Sequence, residues 1–95
     1  MKYQLQSTQV FNKWFSGIDA INKRRILARF ARIEKGHFGD FKQIDTHLFE
    51  LRFFFGGGFR IYYTLRNNQI VLLLVGGDKT SQNTDINQAK QLLKQ

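Results

Sequence analysis

The stretch LFELRFFFGGGFRIYYTLR, residues 48–66, decides how this chain folds. Its first half has a period of two. Phe49, Leu51, Phe53 and Phe55 point one way and Leu48, Glu50, Arg52 and Phe54 the other, the alternation of a half-buried strand. Gly56, Gly57 and Gly58 then read as a turn that needs backbone angles open to glycine. Beyond them Phe59, Ile61, Tyr63 and Leu65 resume the apolar face, while Arg60, Tyr62, Thr64 and Arg66 line the polar one. With the glycines as the turn, Phe55 faces Phe59, Phe53 faces Ile61, Phe54 faces Arg60 and Arg52 faces Tyr62. Arg52 and Arg60 become diagonal neighbours about 7–8 Å apart.

Downstream, Asn67-Asn68 suits a two-residue hairpin, and Ile70–Val75 has apolar residues on both faces, as a sandwiched strand requires. That hairpin sets Val75 opposite Arg60 and carries Lys79, after Gly76-Gly77-Asp78, toward the glycine turn. Asp85–Gln95 reads as a final helix burying Ile86, Ala89, Leu92 and Leu93. Upstream, Gly36–Thr46 reads as a loop. Asp19 caps a helix running to about Glu34, with Ile26, Phe30 and Ile33 as its apolar stripe and Arg25, Arg29 and Arg32 sharing another face. Ser7 or Thr8 caps a shorter helix carrying Val10, Phe11, Trp14 and Phe15, which Gly17 ends. Lys2–Gln6 alternates weakly and reads as a short first strand. The expected order is β-α-α-β-β-β-α over a single domain, residues 1–95. This is an α+β fold in which an N-terminal short strand and helical hairpin pack on an antiparallel sheet, with a C-terminal helix.

Composition bounds the function. With 42% apolar residues and ten Phe among 95, the chain has the content that disordered chains lack. It has no cysteine, hence no disulfide or thiolate site, and only His37 and His47 as imidazoles, so no metal and no cofactor are expected. The longest apolar run, Ile70–Val75, falls far short of the roughly 20 residues of a membrane span. Met1–Val10 is polar and lacks the apolar core of a signal peptide, so a cytoplasmic protein without a membrane partner is expected. Fifteen Lys and Arg against seven Asp and Glu give a net charge of +8, which favours a polyanionic partner.

The basic residues are placed, not merely numerous. Arg52, Arg60 and Lys79 converge at one end of the sheet. Glu50 and Asp78 stand close enough either to neutralise them or to leave a phosphate site, for which arginine supplies a rigid fork. Tyr62 between the arginines is a candidate for stacking on a base. Arg66 lies on the same strand face. Arg25, Arg29 and Arg32 form either a solvated helix face or a second contact surface. His47, in register with the apolar face, reads as a strand-end residue and His37 as a surface one. Trp14, Phe11 and Phe15 read as core, and the glycine triplet lacks the helix and Lys-Ser/Thr of a P-loop.

Taken in order, Glu50-Leu51-Arg52, Gly58-Phe59-Arg60-Ile61-Tyr62-Tyr63 and Leu72-Leu73-Leu74-Val75-Gly76-Gly77-Asp78-Lys79 resemble the RelE/ParE superfamily of toxin–antitoxin proteins. More narrowly, Gly77-Asp78-Lys79 with Gln82, Asp85-Ile86 and Ala89, and upstream Trp14, Arg32, Ile33, Gly36, Gly39-Asp40 and Lys42, resemble its HigB-like "addiction module killer protein" branch. The resemblance implies a metal-independent endoribonuclease that cuts mRNA on the ribosome, the 2′-hydroxyl attacking the adjacent phosphate. Arg60 would then stabilise the charge on the scissile phosphate, with Arg52 and Lys79 as further catalytic cations. Tyr62, Arg66, Arg25, Arg29 and Arg32 would contact RNA. The partners implied are a cognate antitoxin, a small helix-turn-helix protein, and promoter DNA only through the antitoxin complex. The C-terminal tyrosine of RelE is replaced by Ile86, leaving the general base unassigned. The alternative within the superfamily is a ParE-like toxin that inhibits DNA gyrase and is no nuclease.

Overall fold

In the computed structural model, which describes residues 2–94, the elements are β1 (Gln4–Ser7), α1 (Gln9–Ser16), α2 (Ala20–Glu34), β2 (Phe41–Asp45), β3 (Leu48–Arg52), β4 (Arg60–Arg66), β5 (Ile70–Gly77) and α3 (Gln82–Leu93). A single 3₁₀ turn, Lys79–Ser81, leads into α3. The sheet order is β1-β5-β4-β3-β2, with β1 parallel to β5 and the other pairs antiparallel.

The caps are those the side chains invite. Thr8 accepts from the Phe11 amide at 3.1 Å and its hydroxyl donates to the Leu74 carbonyl at 2.6 Å, tying the start of α1 to β5. Asp19 accepts from the Asn22 amide at the start of α2, and Gly17 ends α1. The two faces of the sheet bury separate cores. Phe11, Ile26, Phe30 and Ile33 of the helical hairpin pack on Leu51, Phe53, Ile61, Tyr63, Val71 and Leu73. On the opposite face Ala89 of α3 lies over Leu48, Tyr62, Leu74 and Val75, flanked by Ile86, Leu92 and Leu93. No helix among the described residues is long and apolar enough to cross a membrane.

The α+β class, the helical hairpin and the C-terminal helix stand as the sequence led one to expect, and four details differ. First, Phe41–Asp45 is not loop but an edge strand. Four of its five residues are exposed, so it carries no buried alternation to read, and Lys42 on it is the kind of residue that blunts a sheet edge. Second, the sheet is mixed, since β1 joins it parallel to β5.

Third, β3 ends at Arg52 and β4 begins at Arg60, so the connection is the seven residues Phe53–Phe59, closed by Phe53 N–H donating to the Phe59 carbonyl at 3.0 Å. Gly56, Gly57 and Gly58 all hold positive φ (62°, 70° and 82°), which glycine alone adopts freely in succession. Register therefore moves by two residues. Because the side-chain period is also two, every residue keeps its face, but Arg52 comes directly opposite Arg60 and Glu50 opposite Tyr62. Fourth, the β4–β5 loop holds three residues, Asn67 and Asn68 at positive φ followed by Gln69, and Leu74 is an extra residue on β5. Arg60 consequently faces Gly77, not Val75, which draws Lys79 closer to the arginines.

Candidate functional site

Three consequences of that register meet at one end of the sheet, on the face that α3 covers only in part. Arg52, Arg60 and Lys79 line one cleft of about 280 Å³, together with Asp40, Phe53, Phe54 and the backbone of Gly58.

Arg60 opens β4 and is 9% exposed. Its Nη1 donates to the carbonyls of Gly58 and Phe59 at 3.2 and 3.3 Å, and its buried Nε has no partner. Among the described residues no carboxylate oxygen lies within 4.0 Å of it. Burying a cation without a counter-charge is costly, and the fold carries that cost at Arg60.

Arg52 is different. Its Nε donates to Oε1 of the fully buried Glu50 at 3.1 Å, while Oε2 of Glu50 accepts from Gln82 of α3 at 2.7 Å. Glu50 thus fixes the direction of Arg52, whose side chain stays 37% exposed. Asp78 neutralises neither arginine. The Thr80 hydroxyl and amide both donate to its carboxyl and hold it below the usual carboxylate range, closing the 3₁₀ turn that starts with Lys79. Lys79 is exposed and its stem crosses Gly58 so closely that a Cβ there would sit 2.7 Å from Lys79 Cε.

The other anticipated residues do not join this cleft. Tyr62 is 0% exposed, and burial, then the charge of Glu50, pushes its phenol well above the usual range. It can neither stack on a base nor take a proton. Arg66 is exposed at the far end of β4, about 20 Å along the strand from Arg60. Arg29 is buried inside the fold, not presented to RNA. Its Nε, Nη1 and Nη2 donate to the carbonyls of Phe38 (2.9 Å), Arg52 (2.6 Å) and Asp40 (2.6 Å), with its guanidinium 4.7 Å over the ring of Phe53. The signal was present, because Arg29 is three residues after Ile26 and four before Ile33, on the apolar stripe itself. Arg25 and Arg32 remain exposed on α2, Arg25 lying 5.1 Å over Phe55. His37 and His47 are both exposed, and neither lines the cleft.

Sequence reading missed two cleft residues. Asp40 came from what read as a loop without structure, yet Arg29 binds its carbonyl and the Arg52 amide donates to the same carbonyl at 3.0 Å, so Asp40 is held at the cleft. Phe54 gave a signal that passed unused, an aromatic residue next in line after Glu50 and Arg52 on one strand face. Among the described residues no three His, Asp or Glu side chains gather to hold a metal. The cleft brings together two guanidinium groups and one ammonium, an arrangement able to bind an anion such as a phosphate, with Asp40 beside them.

Residues 13–94 match the family described as phage-derived protein Gp49-like. A protein of Haemophilus influenzae strain Rd, described as uncharacterized, is 42% identical over 93 residues, covering 97% of this chain and 94% of its own. Among solved structures, a chain of the intact E. coli RelBE toxin–antitoxin complex superposes with a TM-score of 0.66 at 10% identity, over 80% of this chain and 95% of its own length, a likeness of fold.

Proposed function

The chain belongs to the Gp49-like family of phage-derived proteins and has the fold of the RelBE chain, and from that premise we propose that it is the toxin of a toxin–antitoxin pair, a HigB-like endoribonuclease acting on mRNA at the ribosome. One observation carries the reading: Arg60 is buried, without a counter-charge, in a cleft that also presents Arg52 and Lys79. The partner proposed is a small helix-turn-helix antitoxin, and promoter DNA is met only through that complex.

In the proposed reaction the 2′-hydroxyl attacks the neighbouring phosphorus and the bond from phosphorus to the 5′-oxygen breaks. Arg60 and Arg52 hold the oxygens on which charge develops. Asp40, the one acidic residue among the described residues lining the cleft, supplies the carboxylate that accepts the 2′-hydroxyl proton, and Lys79 donates a proton to the departing 5′-oxygen.

A second reading rests on an equally specific observation. Among the described residues no histidine and no accessible tyrosine lines the cleft, which suits a toxin that grips DNA gyrase without cutting RNA. Brief induction in cells followed by primer extension on abundant mRNAs separates the two. The nuclease gives new, codon-phased 5′ ends that fall by about a hundredfold or more with Arg60→Ala, the loss typical when one donor to a transition-state oxyanion is removed. Asp40→Asn lowers cleavage as well. Intact mRNA accompanied by double-strand DNA breaks would overturn the nuclease and leave the gyrase reading.

A further inference from the structure

Phe54 is 90% exposed, the most exposed of the chain's large apolar side chains among the described residues. It stands in a run of three phenylalanines whose other two are anchored. Phe53 is buried in the core beneath Arg29, and Phe55 meets Phe53 and Phe59 edge-on at 5.5 and 5.9 Å, with Arg25 over its ring. The loop that carries Phe54 is also tied down. The amides of Gly58 and Phe59 both donate to the Phe55 carbonyl, at 3.0 and 3.1 Å, and Phe53 N–H closes the loop on Phe59. The ring is thus held in water by a fixed loop, and it lines the same cleft as Arg52, Arg60 and Lys79. Among the described residues cation–π partners are found at Phe15, Phe53 and Phe55 but not at Phe54, so no cation of the cleft covers its face.

A bare aromatic face beside fixed, unanswered cations fits a ligand that brings a π-face and a phosphate together. We propose that Phe54 is a base-stacking platform, so that the cleft takes single-stranded nucleic acid with one phosphodiester on Arg60 and Lys79 and a flanking base on Phe54. Duplex is unsuited, because its bases are already stacked and paired. An acidic peptide would engage the cations and leave the ring unused. This deepens the proposed function and rests on its phosphate reading. It also moves the stacking role from Tyr62, which is sealed in the core, to a residue that solvent reaches.

The test measures fluorescence anisotropy of two labelled strands at fixed salt: a short 2′-O-methyl oligoribonucleotide, which cannot be cleaved, and an abasic strand of the same phosphodiester number. Wild type should prefer the base-bearing strand. Phe54→Ala should weaken that strand by roughly tenfold or more, the range for loss of one aromatic–base stack, while leaving the abasic strand unchanged. Phe54→Trp should restore the preference and lose indole emission on binding, over the constant background of Trp14. If Phe54→Ala binds both strands like wild type, the platform is overturned while the phosphate cleft stands, and a protein partner becomes the occupant of that ring. If wild type binds neither strand, the phosphate reading itself falls.

Discussion

Two arginines of this chain are equally buried and opposite in effect. Arg29 donates to three carbonyls and stacks on Phe53, so its charge is answered at every nitrogen and it locks the Phe38–Asp40 segment to the end of β3. Arg60 has two long bonds from one nitrogen and an unpartnered Nε. Truncating the first strands three acceptors. Replacing the second by an apolar chain of similar length relieves a desolvation cost that nothing in the free protein offsets. Arg29→Met should therefore lower stability by about 2–4 kcal/mol. Arg60→Met should leave the melting temperature unchanged or raise it, while weakening oligonucleotide binding. Such a trade of stability for function is expected at a site built for a ligand. Thermal and urea unfolding of the two variants side by side decide this, and comparable destabilisation by both would show that Arg60 stabilises the free protein as Arg29 does. Sequence spacing assigned the two arginines by face alone. It could not separate them, because what distinguishes them is the company of backbone carbonyls brought from Phe38, Asp40 and Arg52, and only tertiary packing supplies that.

At the level of elements, the strands with buried alternation were legible and the unburied ones were not. Residues 48–52 and 60–66 announced themselves because their residue types alternate with a period of two and both of their faces are largely buried, whereas β2, an edge with little buried side chain, has no such pattern. The loop between β3 and β4 was longer than three glycines suggest, since left-handed backbone at Gly56–Gly58 needs Phe54 and Phe55 to complete the reversal. An error of two residues preserved faces, which is why the arginine pairing survived a wrong register. The approach of α3 to β5 was not readable at all. It depends on Gly77, where a Cβ would fall within 1.9 Å of Asp85 Oδ2. Asp85 is buried there, its carboxyl raised by burial even though the Ser81 hydroxyl donates to it at 2.6 Å. A carboxyl whose pKa is higher in the folded state keeps a proton that the unfolded chain has lost. Its contribution is therefore most favourable at low pH and declines as pH rises from the ordinary carboxylate range through the raised value. Asp85→Asn keeps an oxygen for Ser81 and removes the charge. It should be more stable than wild type at pH 7, with the difference vanishing below about pH 4. Urea midpoints at both pH values test this, and a variant less stable at pH 7 would show that the charge is instead favoured by the helix N-terminus.

For the whole molecule, the fold constrains function only loosely, because the same architecture is reached at 10% identity. What individualises this chain is where its charge goes. Of seven acidic residues, Asp19 and Asp78 cap turns of helix, Glu50 holds Arg52, Asp85 is buried under Gly77, and Asp45 lies 4.0 Å from Lys90. The acids are mostly spent on structure, so the excess of +8 stands largely unbalanced over the surface. A basic surface of this kind binds polyanions somewhere, and the question is whether it does so diffusely or at the cleft. Salt dependence distinguishes the two, since each phosphate neutralised on a single strand contributes about −0.7 to the slope of log affinity against log salt. Contacts confined to the cleft, at most one phosphate for each of Arg52, Arg60 and Lys79, predict a slope no steeper than about −2. Arg60→Ala should make it shallower by about 0.7, and Arg66→Ala, at the remote end of β4, should leave it unaltered. A slope steeper than about −4 that Arg66→Ala reduces would mean that the strand spreads over the general basic surface. The cleft would then be one contact among many, and the burial of Arg60 without a counter-charge would need another explanation.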